Sequence, residues 1–136
     1  MKFFNTILLL LLPLSVFAQQ PQNEKEQEKL FYESIDKQVE KYESQLKLED
    51  WQVFYVDSII THNALAMREE MMSLSAQKVS NSDIYIAVQD KWNEASYRAF
   101  EKILDEAQWT KFLKQGGNSE KKARDKREAK RNATNH

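Results

Sequence analysis

Residues 22 to 115 contain neither glycine nor proline; Gly116, Gly117, Pro13 and Pro21 all lie outside that stretch. Tight β-turns depend on glycine for positive φ and on proline to preset φ, so a β-rich domain of this length without either would lack its turns. The expected fold is therefore all-α: an elongated helical hairpin or bundle of three main helices plus a short fourth, with no sheet.

The segment Leu48–Gln77 is the centre of that fold. At 100° per residue it carries two apolar stripes. One is Val53, Val56, Ile60, Ala64, Met67, Met71 and Leu74; the other is Trp51, Phe54, Tyr55, Ile59, Leu65, Ala66 and Met72. A surface helix needs one apolar stripe, so two imply contact on both sides. The second stripe has three readings: ordinary core, a dimer seam, or a surface for a partner polypeptide. Trp51, Phe54, Tyr55, Leu65 and Met72 are the contact residues it offers.

Before this segment, Tyr32, Ile35, Val39, Tyr42 and Leu46 step by three and four, a seam for a helix over roughly residues 24–46. After it, Ser80-Asn81-Ser82-Asp83 stops one helix and starts another, with Ser80 and Asp83 at capping-box spacing. The third helix, about residues 83–104, carries Ile84, Tyr85, Val88, Trp92, Ala95, Ala99, Phe100 and Ile103 on one face. Asp90, Lys91, Glu94, Arg98 and Glu101 form its expected wet side. Asp105 and Gln108 have capping-box spacing ahead of a short helix with Trp109, Phe112 and Leu113, which Gly116-Gly117 is expected to close.

The ends differ in kind from this middle. Residues 1–18 combine a positive start, a leucine-rich run and a small residue at Ala18, the pattern of a cleaved secretory signal peptide. Residues 19–23 are expected to be a flexible N-terminus, 24–115 the helical domain, and 116–136 a charged tail, disordered or a solvated helix, with no apolar face to dock. The chain has no cysteine, which excludes a disulfide and a lipid-modified leader. A secreted domain held by its core alone suits a bacterial periplasm, with no integral membrane segment after cleavage. Residues 19–115 hold 12 Lys/Arg against 18 Asp/Glu and residues 116–136 hold 7 against 3. A body that acidic argues against a nucleic-acid partner.

Leu48-Glu49-Asp50-Trp51-Gln52 and Leu104-Asp105-Glu106-Ala107-Gln108 both place Leu four residues before Gln at the head of an aromatic-rich helix. They resemble the paired LTxxQ motifs of the Spy/CpxP-like family of small periplasmic helical proteins. Glu49 and Asp105 stand at the motif's Thr position. The resemblance implies that Gln52, Asp105 and Gln108 are structural capping residues, and that hairpin protomers pair into a curved homodimer. It also implies that members hold unfolding polypeptides without ATP or modulate envelope-stress signalling, while related proteins bind metal ions.

Chemistry is sparse elsewhere. His62 lies on the second stripe, with Glu69, Glu70 or the Met71–Met72 pair as candidates to complete a metal site across a dimer; a lone histidine without an i+4 partner is a weak metal signal. Asp57 and His62 are about 140° apart around the helix and do not converge for nucleophilic catalysis. The expectation is a non-enzymatic, cofactor-free periplasmic binding protein of the chaperone-like or envelope-stress accessory type. The alternatives are a metal-responsive sensor or buffer, and a structural envelope protein whose basic tail touches anionic surfaces.

Overall fold

The computed structural model describes residues 22–135. The expected signal peptide, residues 1–18, lies outside them, as do Gln19–Pro21. The chain is all-α: α1 (Gln22–Leu46), α2 (Asp50–Ala76), α3 (Ser82–Ile103), α4 (Glu106–Phe112) and α5 (Asn118–Thr134). Among the described residues there is no strand, and no helix is long and apolar enough to cross a membrane. Gln22 and Asn23, expected in a flexible N-terminus, belong to α1.

By contacts the chain divides after Ser34. In the N-terminal unit, Leu30 and Tyr32 are exposed, Phe31 and Tyr32 meet edge to face, and Lys29 pairs with Glu33 at 3.8 Å. The larger unit, from Ile35 on, holds the core: Ile35, Val39, Leu46, Val56, Ile60, Phe100 and Leu104 are buried.

Helices α2 and α3 form an antiparallel hairpin, as three cross-links along it show. Gln52 Nε2 donates to the Ile103 carbonyl at 3.0 Å, Asn63 Nδ2 to Ser96 Oγ at 2.9 Å, and Glu70 accepts from Lys91 Nζ and Trp92 Nε1. The buried face of α2 is Gln52, Val56, Ile60 and Asn63. Val56 and Ile60 belong to the first stripe read from the sequence, Gln52 and Asn63 extend that face to one side, and no member of the second stripe is buried. Steps of four, four and three residues keep polar Gln52 and Asn63 on the same face as Val56 and Ile60, where each finds a partner.

The turns rest on lysines with positive φ. Lys47 (φ 51°) lets Leu48 N donate back to the Glu43 carbonyl, and Lys78 (φ 60°) lets Val79 N donate to that of Leu74. Both satisfy carbonyls that a helix end would leave bare. Helix α3 is capped by Asn81, whose Oδ1 accepts from Asp83 N at 3.0 Å. Ser80, the residue expected there from its spacing to Asp83, lies one position too early.

The C-terminal segment from Gly116 differs most from expectation. Gly116-Gly117 does not end the chain's packing; it turns it. Gly116 adopts φ 118°, ψ −19°, and a Cβ on Gly117 would stand 2.7 Å from the Phe112 ring. The first needs freedom in φ and the second needs the missing side chain. Beyond them α5 is helical, as the solvated-helix reading allowed, but it docks on α3 through charge. The tail read as having nothing to dock is a fifth helix, because the supposed wet side of α3 supplies two carboxylates to meet it.

Candidate functional site

Three groups of side chains stand out: a buried amide pair, a partly buried ion-pair layer, and an exposed aromatic stripe.

The amide pair joins the two helix starts. Glu49 N donates to Gln52 Oε1 at 2.9 Å, and Asp105 N donates to Gln108 Oε1 at 3.0 Å. The two glutamines then bond to each other, Gln52 Nε2 to Gln108 Oε1 at 2.6 Å and Gln108 Nε2 to Gln52 Oε1 at 2.9 Å. Their remaining N–H groups reach the carbonyls of Ile103 and Lys47. Asp105 Oδ1 accepts from Gln108 N at 2.7 Å, completing its cap. Both glutamines are buried. Each amide oxygen accepts two bonds and each nitrogen donates two, so the pair is close to saturated.

Beside it, Tyr42, Tyr97, Phe100, Trp109 and Phe112 form one ring cluster with centroids 5.0–6.1 Å apart. Burial pushes the Tyr42 phenol above its ordinary pKa. This cluster seats α4 against α1 and α3.

The ion-pair layer lies between α3 and α5. Arg127 Nε and Nη2 grip Asp90 Oδ2 and Oδ1 at 2.9 and 2.7 Å, and Arg131 Nη1 adds a third bond at 3.2 Å. One turn on, Glu94 accepts from Lys121 Nζ at 2.7 Å and from Arg124 Nε at 3.2 Å. Lys121 and Arg124 also lie over the Tyr97 ring. Asp90 and Arg124 are each only 6 % exposed. The Arg127 hydrogen bond, against the opposing effect of burial, holds the Asp90 carboxyl below its ordinary pKa. Burial alone would raise that of Glu94, but Lys121 and Arg124 hold it low. The sequence carried a signal for this layer that periodicity of apolar residues misses: Lys121, Arg124, Arg127 and Arg131 step by three, three and four, and Asp90 and Glu94 are one turn apart.

The aromatic stripe is where the contact residues named from the sequence fall. Phe54 is 68 % exposed and Met72 65 %, with Trp51 and Tyr55 also exposed and Leu65 half-buried. Tyr55 stands edge-on to both Trp51 (6.1 Å) and Phe54 (5.7 Å). Trp51 Nε1 donates to Glu49 Oε2 at 2.6 Å, which fixes the indole at the head of α2. Trp51 and Tyr55 keep half of their surface in water and Phe54 about two thirds.

His62 and Glu69, the metal candidates, share α2 seven residues apart, about 10 Å along the axis. The imidazole meets the Trp92 ring at 6.4 Å, and no group of three or more His, Asp or Glu among the described residues is placed to hold a metal ion. No protein-family model, curated protein or solved structure matches this chain.

Proposed function

We propose that this chain is a periplasmic, Spy/CpxP-like accessory protein that holds unfolded or partner polypeptide on the exposed stripe of α2 without ATP. One observation carries the reading. A folded unit with a buried core of its own leaves Trp51, Phe54, Tyr55 and Met72 in water on a single helix face. Apolar surface that folding does not use favours association, since burying it in a complex removes it from water. Aromatic rings and a flexible thioether suit many apolar partners without demanding one shape. The two Leu-x-x-x-Gln segments, whose glutamines bond to each other, support the family reading, in which protomers pair as homodimers after export.

The test is aggregation of an unfolding client, such as reduced α-lactalbumin, followed by light scattering. A severalfold excess of the protein suppresses the scattering, and Phe54→Asp removes the suppression while far-UV circular dichroism stays unchanged. Scattering unaffected by the parent protein would overturn the proposal.

A further inference from the structure

The stripe of α2 is mainly apolar but carries one carboxylate on its crest and two on one flank, against a single cation, Arg68. Taking Trp51 as zero, Phe54, Tyr55, Leu65 and Met72 fall within about 60° of one line, at 100° per residue. Asp50 and Asp57 lie on one side of that line, as does Arg68 farther along the helix, and Glu69 lies along its axis; the three carboxylates are exposed. From Leu48 to Ala76 the sequence has five carboxylates and one cation, Arg68. Glu70 is already bonded to Lys91 and Trp92.

A helix start accounts for Glu49 and Asp50, because carboxylates there complement the positive end of the dipole. That explanation fades beyond the first turn and does not reach Asp57 or Glu69. Asp57 accepts from Thr61 at 3.1 Å, and among the described residues neither it nor Glu69 is in an ion pair. The exposed rings of Trp51, Phe54 and Tyr55 add to the same field, since aromatic faces are electronegative and attract ammonium and guanidinium groups.

We infer that the α2 stripe docks a cationic amphipathic polypeptide segment, in which Lys or Arg side chains alternate at helical spacing with apolar ones. This rests on the polypeptide-holding reading and names its partner class. Apolar residues of the partner cover Phe54, Leu65 and Met72, while its cations reach Asp57, Glu69 and the rings near Trp51. A neutral segment gains only the first contribution, and an acidic one is repelled. Charge complementarity of this kind sets partner choice more than raw affinity.

The experiment uses three fluorescein-labelled peptides of 18 residues that share one Leu/Phe pattern, with Lys, Gln or Glu at every polar position. Each is titrated with the full chain and followed by anisotropy. The Lys peptide binds roughly tenfold more tightly than the Gln peptide at about 50 mM salt, and the gap closes near 0.5 M as the charges are screened. The Glu peptide binds weakest. Asp57→Asn combined with Glu69→Gln shrinks the Lys-over-Gln preference to about threefold or less, and Phe54→Ala weakens both peptides. Equal affinity for the Lys and Gln peptides, with Phe54→Ala weakening each, overturns the charge preference and leaves the polypeptide-holding reading standing. No binding of any peptide, together with unsuppressed client aggregation, overturns both. If light scattering shows a dimer that Phe54→Ala converts to monomer, and no peptide competes, a second copy is the occupant and the inference fails.

Discussion

The side-chain amides of Gln52 and Gln108 bond to each other head to tail, at 2.6 and 2.9 Å, across a separation of 56 residues in sequence. The backbone N–H groups of Glu49 and Asp105 decide which end of each amide is oxygen, so the two caps and the bridge between them form one network. The start of α2 is thereby tied to the start of α4, and the exposed aromatic residues of α2 begin from a fixed point.

Truncating one member of this pair leaves the other's donor and acceptor buried without a partner. Gln52→Ala and Gln108→Ala each lower unfolding free energy by about 2–3 kcal/mol. The double substitution costs less than the two losses added, with a coupling of about 1–2 kcal/mol in a double-mutant cycle read from urea denaturation.

Asp90 and Glu94 make stability fall on the acid side. Their folded-state pKa values are lowered, Asp90's chiefly by the Arg127 hydrogen bond and Glu94's by Lys121 and Arg124 against the effect of burial. A depressed carboxyl contributes its stabilisation above the unfolded value, roughly 3.9 to 4.3, and loses it as pH drops through the folded value. The melting temperature therefore declines below about pH 4, and Asp90→Asn lowers it at pH 7 while flattening that decline. Differential scanning calorimetry between pH 7 and pH 3 reads both effects.

The two glycines fail for different reasons. Gly116→Ala forces a Cβ onto a backbone at φ 118° and costs about 1–2 kcal/mol. Gly117→Ala drives a methyl into the Phe112 ring and costs about 1–3 kcal/mol through displaced packing. Phe112→Leu makes room and recovers part of the second loss but none of the first. Conversely, Lys78→Gly relieves a left-handed residue at the end of α2 and stabilises by about 0.5–1 kcal/mol. Thermal melts of the four variants separate these cases.

Val56 and Phe54 sit two positions apart in α2 with opposite environments, 1 % and 68 % exposed. Val56→Ala costs about 1–3 kcal/mol of stability. Phe54→Ala changes stability by no more than about 0.5 kcal/mol, so its effect on client scattering reports the surface and not the fold.

The helices were legible because their signals are local. The three–four steps of Ile35, Val39, Tyr42 and Leu46, and the Asp105–Gln108 spacing, each lie within a few residues of the backbone they shape. Ser80 lost the cap to Asn81 because both side chains offer an oxygen and only the direction of chain entry separates them. Asp90 and Glu94 were misread as solvated for a different reason. A carboxylate on a helix face looks the same in sequence whether it meets water or an arginine 37 residues away.

By itself the sequence determined that this chain is helical, where its helices run, and that one of them has more apolar surface than one partner covers. Those properties follow from side-chain spacing and from the absence of turn-making residues. Only the tertiary structure decided which glutamines pair, that the basic tail docks as α5, and which stripe of α2 stays wet. Burial and ion pairing depend on what a third element brings alongside, and that is settled by the packing of the chain as a whole.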